Sequence, residues 1–207
     1  MITLALADDH TLFRKSMAAL LELVGDFQVV FQAANGKELI TYLEQSAGPD
    51  LVLLDVSMPI MNGPETCRWI QQNRSDCKVI ALSMLRIDTI IISMLRSGAR
   101  AYLLKDAEPD ELIRVLREVH QKGFAHNELV PQPEIPFTDK LIPHFSDQEL
   151  VFMRWACTDK SHKEIAAILH LSPRTIDGYR DSLFKKLGVN SRVGIVLFAL
   201  RNGIIPL

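Results

Sequence analysis

The chain has 207 residues, of which 48% are hydrophobic and 23% are charged, and its formal net charge is −2. This length suits two domains, this composition excludes a disordered chain, and the near-neutral charge excludes a polycation that binds nucleic acid over its whole surface. The three cysteines, Cys67, Cys77 and Cys157, form no CxxC pair, which argues against a disulfide framework or a zinc site and favours a reducing cytoplasm.

The first 122 residues repeat one pattern, in which a short apolar run is followed by a helical periodicity. The runs predict strands near Thr3–Ala7, Gln28–Gln32, Leu51–Leu54, Val79–Ser83 and Ala101–Leu104. The periodicity predicts helices near 11–23, 36–46, 64–73, 87–97 and 109–121. Because Leu51–Leu54 is apolar at every position, we predict a parallel sheet buried on both faces, and so an α/β, doubly wound, five-stranded fold.

The start of the chain has no basic segment before its apolar residues, and Asp8 and Asp9 follow too soon for a signal peptide. No apolar run approaches the ~20 residues that span a bilayer. Both observations again favour the cytoplasm.

A proline-rich segment over 123–144 predicts a linker, because Pro131, Pro133, Pro136 and Pro143 lack the backbone donors that helices and strands need. Residues 145–207 then predict a smaller all-α domain of four helices. Their starts are marked by the capping boxes at Ser146 and Ser161, by Ser172 before a proline, and by Ser191.

Polar residues follow four of the predicted strands, where ligands bind in open parallel sheets. Asp8 and Asp9 follow the first strand, Asp55 the third and Lys105 the fifth, while Ser83 ends the fourth. Three converging carboxylates would repel one another without a cation, and hard oxygen donors suit Mg²⁺. The cluster therefore predicts a metal, with Asp55 as a nucleophile that forms an acyl phosphate beside Lys105. Ser83 would donate its hydroxyl to the phosphoryl group.

Each of these residues alone has an ordinary explanation, because an aspartate after a strand is usually a turn or cap residue. Their joint occurrence at four strand ends is what favours a functional site. An aspartyl-phosphate phosphatase of the haloacid-dehalogenase type is the alternative. It is disfavoured because such enzymes need a second acid two residues after the nucleophile, where this chain has Ser57.

The first 122 positions resemble the receiver domain of two-component response regulators, which has a flavodoxin-like fold. The matching motifs are Asp8-Asp9, Asp55-Val56-Ser57-Met58-Pro59, Asn62-Gly63, Ser83 and Tyr102-Leu103-Leu104-Lys105. The resemblance implies that a histidine kinase phosphorylates Asp55 and that Asp8, Asp9, Asp55 and the Ser57 backbone carbonyl hold Mg²⁺. It also implies that Ser83 and Tyr102 form a switch, with the aromatic ring turning inward upon phosphorylation.

The C-terminal region predicts a helix-turn-helix, with a short helix from Lys163, a turn at 170–173 and a candidate recognition helix over 174–187. Periodicity alone leaves a generic helical bundle equally open. Residues 145–205 resemble the LuxR-type domain of NarL/FixJ response regulators, however, and the resemblance implies binding to double-stranded promoter DNA. The motifs are Phe145-Ser146-Asp147-Gln148-Glu149, Lys163-Glu164-Ile165-Ala166, Ser172-Pro173-Arg174-Thr175-Ile176, Lys186-Leu187-Gly188-Val189 and Asn190-Ser191-Arg192.

Basic and polar residues of this domain are expected to contact phosphates, which set affinity and salt dependence. They are Lys163, Thr175, Arg180, Lys185 and Arg192. The recognition helix departs from the family pattern at Asp177-Gly178-Tyr179, with a second acid at Asp181. Asp177 can accept from a cytosine amino group and Gly178 permits close backbone approach, so we expect an unusual sequence preference.

A domain of about 60 residues contacts too few base pairs to be specific alone, so we expect a homodimer on DNA binding. The resemblance implies that phosphorylation also promotes the homodimer. The apolar residues Ile195, Val196, Phe198 and Ala199 of the last helix are candidates for the dimer surface, and packing against the recognition helix is their alternative role. RNA polymerase is a further expected partner. A signalling adaptor that binds protein instead of DNA is the remaining alternative class, together with a DNA-binding regulator independent of phosphorylation.

Overall fold

The computed structural model describes residues 1–130, 145–201 and 204. In this part of the chain no helix combines the length and the apolar character that a bilayer crossing requires. The chain divides into two compact units, which are described separately. The first comprises Met1–Arg86 and Met94–His126, and the second Ile87–Ser93 and Asn127–Leu207.

The first unit is built on one sheet of five parallel strands in the order β2-β1-β3-β4-β5. The strands are β1 (Ile2–Ala7), β2 (Phe27–Ala33), β3 (Leu51–Asp55), β4 (Lys78–Ser83) and β5 (Ala101–Leu104). The predicted doubly wound sheet is confirmed, and the strand bounds differ from the prediction only at their ends. The strand order reverses beside β1, which pairs with both β2 and β3. The ligand crevice is therefore expected at the carboxyl ends of β1 and β3.

Five helices connect the strands. They are α1 (Thr11–Val24), α2 (Gly36–Gln45), α3 (Gly63–Asn73), α4 (Asp88–Arg96) and α5 (Pro109–Lys122). Helices α1 and α5 supply buried residues such as Leu21 and Leu116 to one core, which they form with Leu4, Leu53 and Leu103 of the strands. Helices α2 and α3 contact each other and pack on β1, β3 and β4. Because helices cover it on both sides, the central strand β3 is buried along its whole length.

The second unit contains the four predicted short helices within residues 145–201. They are α6 (Asp147–Ala156), α7 (His162–Ile168), α8 (Pro173–Leu187) and α9 (Arg192–Arg201). Ser146 and Ser161 both form reciprocal capping boxes, and Ser172 caps α8 with proline in its first turn. The Ser191 hydroxyl accepts from the Gly194 N–H at the start of α9. The capping residues that predict the starts of these four helices therefore form the expected hydrogen bonds in the structure.

The turn between α7 and α8 depends on His170, a non-glycine residue with φ of 54°. This left-handed conformation lets the Leu171 N–H donate back to the Ala166 carbonyl at 2.9 Å, which closes the end of α7. The chain is thereby redirected into α8, as a helix-turn-helix requires.

Parts of the predicted linker lie outside the described residues, including Pro131, Pro133, Pro136 and Pro143. Gly203, near which the sequence predicts that the last helix ends, also lies outside them. The three cysteines are all free and buried. Burial raises the pKa of the Cys67 thiol to about 12 and that of Cys77 to about 11.

Candidate functional site

The polar residues expected at one edge of the sheet meet there. Asp8 follows β1, Asp55 ends the neighbouring β3 and Lys105 follows β5. Their side chains are almost fully buried, at 4%, 3% and 5% exposure. Buried charges are stable only when they are paired, so this grouping calls for tight contacts.

Lys105 lies between the two carboxylates. Its Nζ atom is 2.8 Å from Asp55 Oδ2, to which it donates a hydrogen bond, and 2.9 Å from Asp8 Oδ2. Asp8 Oδ2 has no partner with hydrogen-bond geometry, so its contact with Lys105 is purely ionic. One ammonium therefore balances two buried carboxylates, which leaves the group of Asp8, Asp55 and Lys105 with a net charge of −1.

Burial and neighbouring charges shift the pKa values of Asp55 and Lys105 in opposite directions. Burial raises the pKa of Asp55, and the neighbouring Lys105 opposes that increase without cancelling it. Burial alone would lower the pKa of Lys105, but its interactions with the carboxylates of Asp55 and Asp8 outweigh burial and raise the pKa. Lys105 is thus a permanent cation at neutral pH.

The residues present fit a divalent cation. Ligand atoms of Asp8, Asp9, His10 and Asp55 lie within 4.8 Å of one another. Three carboxylates form a hard oxygen set, and the unbonded Asp8 Oδ2 adds an acceptor inside the site. This arrangement can hold Mg²⁺.

His10 is better explained as an orienting residue than as a metal ligand. It occupies the N-cap position of α1, and its side chain is 68% exposed. Its backbone N–H donates to Asp8 Oδ1 at 2.8 Å, and its Nδ1 lies 3.0 Å from Asp9 Oδ1. Arg14, one turn later, donates to the Asp8 carbonyl. These contacts fix both carboxylates beside Asp55, a role that the sequence did not assign to either residue.

The loop after Asp55 is held close to the nucleophile. The Ser57 N–H donates to Asp55 Oδ1 at 3.3 Å. A side chain at Gly63 would collide with the Asp55 carbonyl at 2.6 Å, so only glycine allows α3 to begin here. Ile60 has φ of 68°, a strained conformation for a β-branched residue. The strain lies within the loop that shapes the site.

Ser83 and Tyr102 are joined through the loop after β4. The Leu85 N–H donates to Ser83 Oγ at 3.0 Å, and the Tyr102 hydroxyl donates to the Leu85 carbonyl at 2.8 Å. Tyr102 is fully buried, and burial raises the pKa of its hydroxyl. The ring therefore points into the domain, and the Leu85 backbone links it to the Ser83 hydroxyl.

The second unit presents most of the residues expected at a DNA surface. Ile176, Leu183 and Leu187 form the buried face of α8. The exposed or half-buried residues expected to contact DNA are Lys163, Thr175, Asp177, Gly178, Tyr179, Arg180 and Lys185. The Tyr179 ring also packs against the Phe152 ring, with 6.4 Å between the ring centroids, and Lys186 is half-buried beside Glu149. Helix α8 therefore has a packed face and an open face.

Arg180 is held by two carboxylates on the open face of α8. Its Nη1 donates to Asp177 Oδ1 at 2.9 Å, and its Nε donates to Asp181 Oδ1 at 2.9 Å. His162 Nδ1 lies 3.8 Å from the same Asp177 oxygen. The spacing of three residues places Asp177 and Arg180 on the same side of α8, and Asp181 directly follows Arg180 in the sequence.

Arg192 corrects an expectation from the sequence. It is buried, its Nε donates to the Ala156 carbonyl at 2.7 Å, and its Nη2 donates to the Thr158 carbonyl at 2.9 Å. These bonds cap the end of α6 and tie it to the start of α9. The structure therefore gives Arg192 a structural role in place of the expected phosphate contact.

The proposed dimer residues of α9 also differ from expectation. Ile195, Val196, Phe198 and Ala199 are all fully buried, and α9 contacts α6 and α8. The alternative role, packing within the unit, is the one that these four side chains have here. A helix that is apolar around its whole circumference is expected to be covered on all sides.

Glu149 is a residue whose wider role the sequence did not reveal. Besides its part in the capping box, Oε1 accepts from the Ser182 hydroxyl at 2.6 Å and Oε2 accepts from Lys186 Nζ at 2.7 Å. Burial raises the pKa of Glu149, but its bonds to Lys186, Ser182 and Ser146 lower it overall to about 2. Glu149 thus fixes α8 against the start of α6.

Comparisons with known proteins agree with both halves of this description. The family model for the response regulator receiver domain matches residues 4–117, and that for bacterial regulatory proteins of the luxR family matches residues 143–199. The chain is 30% identical over 210 residues to the response regulator UvrY of Escherichia coli K12, covering 99% of this chain and 96% of that protein.

Two further comparisons give the same result. A nitrate/nitrite response regulator homolog of Haemophilus influenzae is 32% identical over 200 residues, covering 95% of this chain and 96% of that protein. The structure of the receiver domain of NarL from Mycobacterium tuberculosis is 28% identical with a TM-score of 0.55, covering 58% of this chain and 96% of that one.

Proposed function

This chain belongs to the two-component response regulators that carry a receiver domain and a LuxR-type DNA-binding domain, and from that premise we propose that phosphorylation of Asp55 controls its binding to promoter DNA. The phosphoryl donor is a histidine kinase. The observation that carries the proposal is the pairing of buried Asp55 with Lys105 at 2.8 Å, beside Asp8.

In the proposed reaction, an Asp55 carboxylate oxygen attacks the phosphorus atom while the bond from phosphorus to the donor's imidazole nitrogen breaks. The leaving imidazole takes up a proton. Lys105 keeps its proton and neutralises charge on the transferring group, and the Ser83 hydroxyl donates to one of its oxygens. Asp8, Asp9, Asp55 and the Ser57 carbonyl would hold Mg²⁺, which supplies further charge neutralisation when bound. Beyond this transfer and its own dephosphorylation, we expect no catalysis.

The phosphorylated chain is proposed to act as a homodimer on double-stranded promoter DNA, with RNA polymerase as a further partner, in the cytoplasm. The proposed DNA contacts all lie in the second unit: Lys163, Thr175, Asp177, Gly178, Tyr179, Arg180 and Lys185. Arg192 is left out because its guanidinium bonds to backbone carbonyls inside the unit.

A DNA-binding regulator that acts without phosphorylation is the second candidate. Such a regulator would use the same exposed residues of α8, and Asp55 would not control its binding to DNA.

The deciding experiment is intact-mass spectrometry after incubation with Mg²⁺ and a small acyl phosphate, or with a partner kinase. We expect a gain of one phosphoryl group in the wild type and none in Asp55→Asn. Asp76→Asn is the matched control, because Asp76 is an exposed carboxylate of the same unit and should leave phosphorylation unchanged. A wild type that gains no phosphoryl group from any donor would favour the second candidate.

A further inference from the structure

The open face of α8 carries an arginine whose donors are largely occupied. Asp177 accepts from Nη1 of Arg180, while one oxygen of Asp181 accepts from Nε and lies 2.8 Å from Nη2. The guanidinium also lies over the Phe184 ring, with Cζ 6.0 Å from its centroid. Both edges and one face of the guanidinium therefore already have partners.

The charge balance of this group is unfavourable for DNA. Two carboxylates accompany one guanidinium, so the group carries a net charge of −1. The side chains of Asp177 and Asp181 are 48% and 66% exposed, whereas that of Arg180 is 31% exposed. Phosphate oxygens would meet more negative than positive charge here, although the domain is otherwise basic. An arginine binds carboxylate and phosphate with the same fork of donors, so the two aspartates compete directly with DNA for Arg180.

We propose that Asp177, Arg180 and Asp181 form a charge latch on the recognition helix, which a DNA phosphate must open by replacing the carboxylates on Arg180. This inference rests on the proposed DNA-binding function and assigns a regulatory role to residues of that same surface. The latch lowers affinity for DNA of arbitrary sequence. Binding recovers at sites where the released Asp177 accepts from a base donor such as a cytosine amino group.

The latch makes a quantitative prediction about salt. The logarithm of affinity falls with the logarithm of salt concentration by about 0.9 for each phosphate that is neutralised. While the aspartates hold Arg180, it neutralises less than one phosphate and so adds less than about 0.9 to the slope. Asp181→Asn should therefore steepen the salt dependence by up to about one phosphate and raise affinity about fivefold, the size expected for an exposed ion pair.

The experiment measures fluorescence anisotropy of a labelled duplex of about 30 base pairs and mixed sequence, or three helical turns. The full-length proteins are wild type, Asp181→Asn, Arg180→Gln and the double variant Arg180→Gln/Asp181→Asn, over a series of salt concentrations. Asp147→Asn is the matched control, because it removes the same negative charge from an exposed position of α6 that is not in contact with Arg180.

The latch predicts that Asp181→Asn strengthens binding when Arg180 is present and changes it by less than about twofold in the Arg180→Gln background. An equal gain in both backgrounds would mean simple charge repulsion and would overturn the latch. No gain in either background would overturn it as well. If no protein in the series binds DNA in a salt-dependent way, the proposed DNA-binding function itself fails.

Discussion

Lys105 shows how one residue can serve both folding and chemistry. Its ammonium lies within 2.9 Å of Asp8 and Asp55, and all three side chains are nearly inaccessible to water. Removing one partner from such a group leaves uncompensated buried charge, which is more costly than the loss of the ion pair itself. The same ammonium occupies carboxylate oxygens that a divalent cation would otherwise use.

Lys105→Met should therefore lower the free energy of unfolding of the first unit by about 3 kcal/mol in the presence of a chelator. The variant should also bind Mg²⁺ more tightly than the wild type, because a competing positive charge is gone. Urea unfolding with and without Mg²⁺ measures both effects. Lys15→Met, at an exposed position of α1, is the control. A Lys105→Met chain as stable as wild type in chelator would contradict the pairing described here.

Gly178 is a second informative residue, because nothing in the described structure requires glycine there. A Cβ at this position would meet no atom within 4 Å, and its backbone is helical. Glycine inside a helix is less stable than alanine by about 0.5–1 kcal/mol. The chain therefore retains a locally unfavourable residue on the open face of α8.

Gly178→Ala should raise the stability of the second unit by about that amount. If DNA approaches the α8 backbone at Gly178, the same substitution should weaken binding about fivefold or more. Thermal unfolding and DNA anisotropy on one preparation separate the two effects. A variant that is more stable and binds DNA as well as wild type would show that the backbone is not approached.

At the scale of whole elements, the sequence predicted the features that depend on neighbouring residues. The continuous apolar run of β3, the capping boxes of α6 and α7 and the proline start of α8 were all identifiable, because each signal lies within a few residues. The clustering of Asp8, Asp55 and Lys105 was also predictable, because parallel strands bring their carboxyl ends together.

The elements of the second unit also show where such prediction stops. Arg192 and Glu149 each bond to groups more than 30 residues away, and no local pattern marks those partners. Arg192 resembled a phosphate contact because an arginine after a turn is usually exposed. The residues of α9 were candidates for a dimer surface because the sequence does not show that α6 and α8 cover them.

Glu149 leads to a prediction about pH for the second unit. Its pKa in the fold is about 2, below its ordinary value of 4.5. A lowered pKa stabilises the fold fully above about 4.5, and this stabilisation is lost as the pH falls from there through about 2. Glu149→Gln should cost about 2 kcal/mol at pH 7 and progressively less in acid.

Fluorescence can isolate this effect, because Trp69 lies in α3 and Trp155 in α6, so a Trp69→Phe background reports on the second unit. Glu164→Gln is the matched control: Glu164 holds the same position in the capping box of α7 but is exposed. Between pH 7 and pH 3 the free energy of unfolding should fall more for the wild type than for Glu149→Gln, because only the wild type has the buried carboxylate. Equal losses would show that the buried carboxylate is not the source.

At the scale of the whole molecule, the charge is divided unequally between the two functions. Residues 144–207 contain 9 Lys and Arg against 6 Asp and Glu, whereas the remaining residues contain 14 against 19. The acidic part carries the carboxylate cluster proposed to hold Mg²⁺, and the basic part carries the proposed DNA surface. The net charge of the chain conceals this division, which suits partners of opposite charge.

Phosphorylation is proposed to increase the fraction of the chain that forms homodimers. Sedimentation velocity should show a larger dimer fraction for the phosphorylated wild type than for the unmodified chain. Asp55→Asn under the same conditions should remain at the unmodified fraction. Dimerisation that is equal in all three samples would remove self-association from the switch and leave DNA contact as the regulated step.

The burial of all three thiols has a practical consequence for following that switch. With thiol pKa values of about 12 for Cys67 and 11 for Cys77, the thiolate that reacts with maleimide or methanethiosulfonate reagents is scarce at neutral pH. A single cysteine introduced at an exposed position of each unit would react far faster than the native thiols. Spin labels could then be attached to the otherwise native sequence, and distances between the units could be measured before and after phosphoryl transfer.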